Sequence, residues 1–201
     1  MNSKLIRITG EAAIAIIVSV ALSFVPLQIM GHAIDLAILP LLFLAFRQGL
    51  LPGLLSGLIF GLVNGLIVGA GNLDWLRLGL DSILAYTLIG VAGIFARNTV
   101  RTAFNRRKSS TVLNVTTGTL LASLLSWVTH VLASSLTANT FLSQQQADIM
   151  STLSNTWLTW CLTAGLAILI FVLLAYLLPT ALIPKQTRFL TRREQSHLLN
   201  D

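Results

Sequence analysis

From Leu50 to Gly69 the chain reads LLPGLLSGLIFGLVNGLIVG, a run without a single charge. At about 1.5 Å per residue this helix would cross a hydrocarbon core roughly 30 Å thick. Gly53, Gly57, Gly61, Gly65 and Gly69 recur within it at four-residue spacing, which places five hydrogen side chains on one helical stripe. Glycine contributes only backbone and room, so the stripe reads as a surface for close membrane-helix packing rather than as a ligand site.

Further apolar segments lie on either side: Leu5 to Ile29, Ile34 to Phe46, Trp75 to Phe95, Val112 to Leu136 and Thr152 to Leu178. The segment from Ile34 rises only about 20 Å, so it is expected to be tilted, extended by its loop or incompletely spanning, and Pro40 predicts a kink in it. Composition points the same way. The chain is 55% hydrophobic and 10% charged, with a mean hydropathy of +0.82, a balance beyond a water-soluble domain that must cover its core with polar surface. The stretch after Gly10 lacks a small-residue cleavage site and is long enough to span, so it reads as a retained first helix. The expectation is an all-α integral membrane protein, with residues 1–201 forming one domain of six transmembrane helices.

Charge sets the orientation. Lys4 and Arg7 precede helix one, Arg47 lies between helices two and three, Arg97, Arg101, Arg106, Arg107 and Lys108 between four and five, and Lys185, Arg188, Arg192 and Arg193 after six. The opposite connections hold Asp74 and Asp148 and no Lys or Arg, and Arg77 stands just inside helix four. The positive-inside rule then puts both termini in the cytoplasm, with a basic cytoplasmic loop at about 97–110 and a tail at about 185–201. A net charge of +6 would suggest nucleic acid in a soluble protein; here it serves topology and anionic membrane lipid, and no nucleic-acid partner is expected.

Polar groups inside lipid are costly and become functional candidates. Glu11, at the start of helix one, also suits a helix N-terminus and is left out of the site. Asp81 has Arg77 four residues before it on the same face, so it serves either an ion pair or a ligand's charge. His130 follows Trp127 by three residues, a polar and aromatic combination suited to a flat heteroaromatic ligand. Asn155 opens helix six, either as a cap or as a ligand contact, near Trp157 and Trp160. Asp81, His130 and Asn155 all fall in the outer half of their helices, where one outward-facing pocket could gather them.

Signals for chemistry are sparse. Cys161 is alone, so it forms no intramolecular disulfide and has no Cys/His set for a metal. No phosphate-cradling loop, nucleophile elbow or H-E-x-x-H motif occurs, so the chain does not hydrolyse ATP by itself, and neither cofactor nor metal is expected.

Two stretches, PLLFLAFRQGLLPGLLSGLIFG from Pro40 to Gly61 and LDSILAYTLIGVAGIF from Leu80 to Phe95, resemble the thiamine-specific substrate-binding (S) components of energy-coupling factor (ECF) transporters. The similarity covers most of the chain. It implies a multi-pass protein of the bacterial plasma membrane, not an enzyme, that captures a vitamin from outside and docks on a shared transmembrane scaffold with two ATPase subunits. Ala15 and Ser19, a small-xxx-small pair in helix one, are implied as the docking contact. By position, the family's thiamine-binding Glu-Tyr pair becomes Asp81-Ser82, while His130 and Asn155 remain. A Trp eight residues beyond the His becomes Ala138 and a Tyr five before the Asn becomes Met150. The implied site is therefore Asp81, Ser82, Trp127, His130, Met150 and Asn155, with Trp127, Trp157 or Trp160 standing in for lost aromatic walls. The ligand is thiamine or a related heterocycle; the alternatives are another vitamin or precursor, a small intramembrane enzyme using Asp81 and His130, or an assembly subunit that binds nothing.

Overall fold

The computed structural model describes residues 3–68, 75–137, 146–184, 187–191 and 194. Gly69, Asp74 and Ala138 lie outside the described residues, as do the side chains of Asp148 and Met150. Among the described residues six main helices carry the fold: α1 (Ser3–Ser23), α2 (Ile38–Gln48), α3 (Leu50–Val68), α4 (Trp75–Phe104), α5 (Lys108–Thr137) and α6 (Gln146–Leu177). A two-stranded hairpin, β1 (Gln28–Ile29) and β2 (His32–Ala33), separates α1 from α2, and a 3-10 turn, Pro179–Leu182, follows α6. Five of the helices are long and apolar enough to cross a membrane; α2, with 11 residues, is the short one.

The apolar segments located the helices and misplaced their ends. Helix one stops at Ser23 rather than Ile29. Pro26 disfavours helical backbone at Val25, and the chain then reverses through Met30 (φ 54°) and Gly31 (φ 83°), the paired positive φ that suits a two-residue hairpin. Pro40, expected to kink this segment, is the third residue of α2, where it costs no hydrogen bond because amides in the first turn have no intrahelical acceptor to lose. The basic segment at 97–110 is mostly helix rather than loop. α4 continues through Ala96–Phe104, and α5 starts at Lys108 after a turn in which Arg106 takes φ 54°. Likewise α6 begins at Gln146, six residues before the apolar run. Hydropathy marks where lipid ends, whereas the backbone hydrogen-bond ladder continues into polar surroundings.

α2 is short because it lies inside the bundle. Its Leu41, Leu42, Leu44, Ala45 and Phe46 are buried, and Phe46 meets Phe171 of α6 edge-on at 5.3 Å. Gly49 joins α2 to α3 with φ 96°, a conformation that favours glycine. The glycine stripe packs as read: Gly53 faces Ala45 and Gly90, Gly57 the backbone of Tyr86, Gly61 the backbone of Ser82, and Gly65 the side chains of Leu78 and Ser82. A Cβ at any of the four would sit closer than van der Waals contact allows, so α3 and α4 touch backbone to backbone. Outward, Ile14, Ile17, Leu51, Leu55, Leu62 and Leu173 are exposed, as side chains facing lipid should be.

Two readings of α1 change. Ala15 (8% exposed) and Ser19 (0%) are buried, with α1 packed on α2 and α3, so this small pair is covered by the protein's own helices and offers no free docking contact. Glu11 ties helices together at the end that carries the basic residues. It accepts hydrogen bonds from Arg47 Nη2 (3.0 Å) and Gln48 Nε2 (2.8 Å), while Arg47 also donates to the Ala181 carbonyl.

Candidate ligand cavity

At the opposite end from Glu11 and the basic segments lies a cavity of about 700 Å³, reached by all six helices and by the chain around the hairpin. Its size falls in the range of small-molecule sites. α4 supplies Asp81 through an unusual stretch, since Leu78–Leu84 is wound as a π-helix. In a regular α-helix Asp81 and Tyr86, five residues apart, would point about 140° away from one another. The wider π turns bring both to the same cavity wall.

Asp81 is contacted from two sides. Its Oδ1 lies 2.6 Å from His130 Nδ1, and its Oδ2 lies 3.7 Å from Nε of the exposed Arg77. The ion pair and the place on the cavity wall therefore coexist. His130 comes from α5 with Trp127, one helical turn earlier, and α6 adds Asn155, Thr159 and Trp160. Trp127 and Trp160 have ring centroids 6.0 Å apart and both line the cavity, while Trp157 packs behind them at 5.2 Å and 4.7 Å.

The structure thus brings Asp81, Trp127, His130 and Asn155 to one cavity. It does not bring Ser82 there: Ser82 lies against Gly61 and Gly65 of α3, one position around the helix from Asp81. Asn155 is not the opening residue of α6, since nine helical residues precede it, so a capping role does not apply. Met150 falls within α6, but its side chain lies outside the described residues.

Sequence reading missed Asp35 and Tyr86. Asp35, in the link between β2 and α2, accepts from Tyr86 Oη at 2.8 Å and from the Ala37 amide at 2.9 Å. Tyr86 is backed by Phe60, edge-on at 4.7 Å, and stands edge-on to His130 at 6.2 Å. The signal was present: Asp35 is a lone carboxylate inside an apolar run and Tyr86 a lone phenol inside another. Asn64 of α3 also lines the cavity.

The arrangement can hold a cation between carboxylate and indole faces and orient it through an imidazole and a side-chain amide. The family model described as thiamine transporter protein (Thia_YuaJ) matches residues 9–183. The chain is 28% identical over 133 residues to the thiamine transporter ThiT of Bacillus subtilis, covering 65% of this chain and 68% of that protein. Its fold is similar to that of ThiT from Listeria monocytogenes, with a TM-score of 0.80 and 22% identity over 90% of this chain and all of that one. Because the family match runs from within α1 to beyond α6, this multi-pass protein of the cell membrane is a transporter and not an enzyme, and it belongs to the thiamine transporter protein family.

Proposed function

We propose that this chain is the substrate-capturing subunit of an ECF-type importer, taking thiamine or a thiamine-related heterocycle from outside the cell. The observation that carries the proposal is the cavity wall on which Asp81, held 2.6 Å from His130, stands with Trp127, Trp160 and Asn155. Thiamine joins a thiazolium cation to an aminopyrimidine. Asp81 balances the positive ring, the indole faces stack on the flat heterocycles, and His130 and Asn155 orient them through hydrogen bonds. Placing the basic segments in the cytoplasm opens the cavity to the exterior.

No nucleotide-binding motif is present in the sequence, so energy for release comes from partners: a transmembrane scaffold and two ATPase subunits. Native mass spectrometry of gently purified protein, followed by calorimetric titration with thiamine, tests the ligand. The expected result is a retained mass equal to thiamine or a close relative and saturable heat. A different retained vitamin or precursor would reassign the substrate, and no retained mass together with no heat would overturn capture altogether. Co-purification from cells with a scaffold protein and ATPases tests the partnership.

A further inference from the structure

The cavity holds a second carboxylate, and among the described residues no Lys or Arg lines the cavity beside it. Asp35 Oδ2 accepts from Tyr86 Oη and Oδ1 from the Ala37 amide, both of them neutral donors, which leaves lone pairs on each oxygen for a ligand. Tyr86 links it to the Asp81–His130 pair, its ring standing 6.2 Å from the imidazole. Among the described residues, those lining the cavity include no Lys or Arg. Neither do residues 69–74 and 138–145, on sequence alone. Among the described residues, Arg77 is the one Lys or Arg at this end, and it is exposed and lies beside Asp81.

We infer that Asp35 is a specificity-determining residue: together with Asp81 it makes the cavity select an unphosphorylated organic cation with a second hydrogen-bond-donating group, and reject phosphate esters of that cation. The inference rests on the thiamine reading and narrows it. A cation with an amino group satisfies both carboxylates at once. A phosphate brought between them meets two like charges and no compensating Lys or Arg, in surroundings where water screens little.

The test uses the full chain in lipid nanodiscs, with quenching of tryptophan fluorescence as readout and thiamine, thiamine monophosphate and thiamine diphosphate as probes. Unmodified protein is expected to bind thiamine at least about 100-fold more tightly than the diphosphate. Asp35→Asn keeps Oδ1 as acceptor for the Ala37 amide and can donate its side-chain N–H to Tyr86 Oη, whose hydroxyl also accepts, so it should fold. It should weaken thiamine about 10- to 100-fold and shrink the thiamine-to-diphosphate ratio at least about tenfold. Asp35→Glu, which keeps the charge, should preserve the ratio, and it decides the matter should Asp35→Asn melt early. Equal affinity for thiamine and its diphosphate, or an unchanged ratio in folded Asp35→Asn, overturns the inference while leaving thiamine capture intact. Absence of thiamine binding by unmodified protein overturns the capture reading and this inference with it.

Discussion

Asp81 illustrates how much one side chain can be asked to do. It is paired with His130, approached by Arg77 and exposed to the cavity, so removing its charge while keeping its shape isolates the electrostatic part of ligand binding. Asp81→Asn should weaken a cationic ligand by about 1.5 to 3 kcal/mol, roughly ten- to a hundredfold, and a neutral ligand far less. Titration calorimetry with thiamine and an uncharged analogue measures the difference, and equal losses for both would remove Asp81 from charge recognition. His130→Ala and Asn155→Ala should each reduce affinity by removing an orienting hydrogen bond. Ser82→Ala, by contrast, should leave affinity within about twofold, because Ser82 faces the glycines of α3 and not the cavity.

Between elements, the contact of α3 with α4 decides where the site residues stand. Gly57 lies against the backbone of Tyr86 and Gly61 against that of Ser82, next to Asp81. Gly57→Leu should push α4 away from α3, destabilise the fold by about 1 to 3 kcal/mol or more, and weaken ligand binding through Tyr86 and Asp81 together. Thermal unfolding in detergent, read beside ligand affinity, would contradict this packing if both were unchanged. α1 is open to a parallel argument. Since Ala15 and Ser19 are buried, Ala15→Leu or Ser19→Leu should lower the melting temperature and impair binding as well as transport. A variant with normal stability and binding but no transport would instead restore the pair as a docking contact.

For the molecule as a whole, polarity along the membrane normal is the organising property. Among the described residues, one end gathers the basic residues other than Arg77 and the Glu11–Arg47–Gln48 tie, and the other gathers the cavity. Reporter tags at Met1, Ser109 and Asp201 should therefore all report the cytoplasm, and a tag at Ser143 the exterior. A cytoplasmic signal at Ser143 would invert the bundle and turn the cavity inward. Breaking the tie with Glu11→Ala leaves Arg47 and Gln48 short of an acceptor, and should destabilise the fold by about 1 to 3 kcal/mol without altering the ligand preference of a cavity at the far end.

The sequence by itself determined the membrane class, the number and order of the main helices and the packing role of the glycine stripe. Each of these follows from local chemistry: apolar run length against bilayer thickness, and the absence of side chains at four-residue spacing. It also singled out Asp81, Trp127, His130 and Asn155, because isolated polar or aromatic groups in lipid-length segments stand out. Tertiary structure alone decided the rest. That Tyr86 shares a wall with Asp81 depends on π turns at Leu78–Leu84, which no α-helical spacing anticipates. That Asp35 belongs to the same wall depends on a hairpin at Gln28–Ala33 and a link before α2, where helix one was expected to run to Ile29 and helix two to start at Ile34, with Asp35 then reaching a phenol 51 residues away in sequence. That Ala15 and Ser19 are covered depends on which face α1 turns to α2 and α3. A small residue in a lipid-length helix packs equally well against a neighbour in its own chain or in a partner, and only the assembled bundle distinguishes the two.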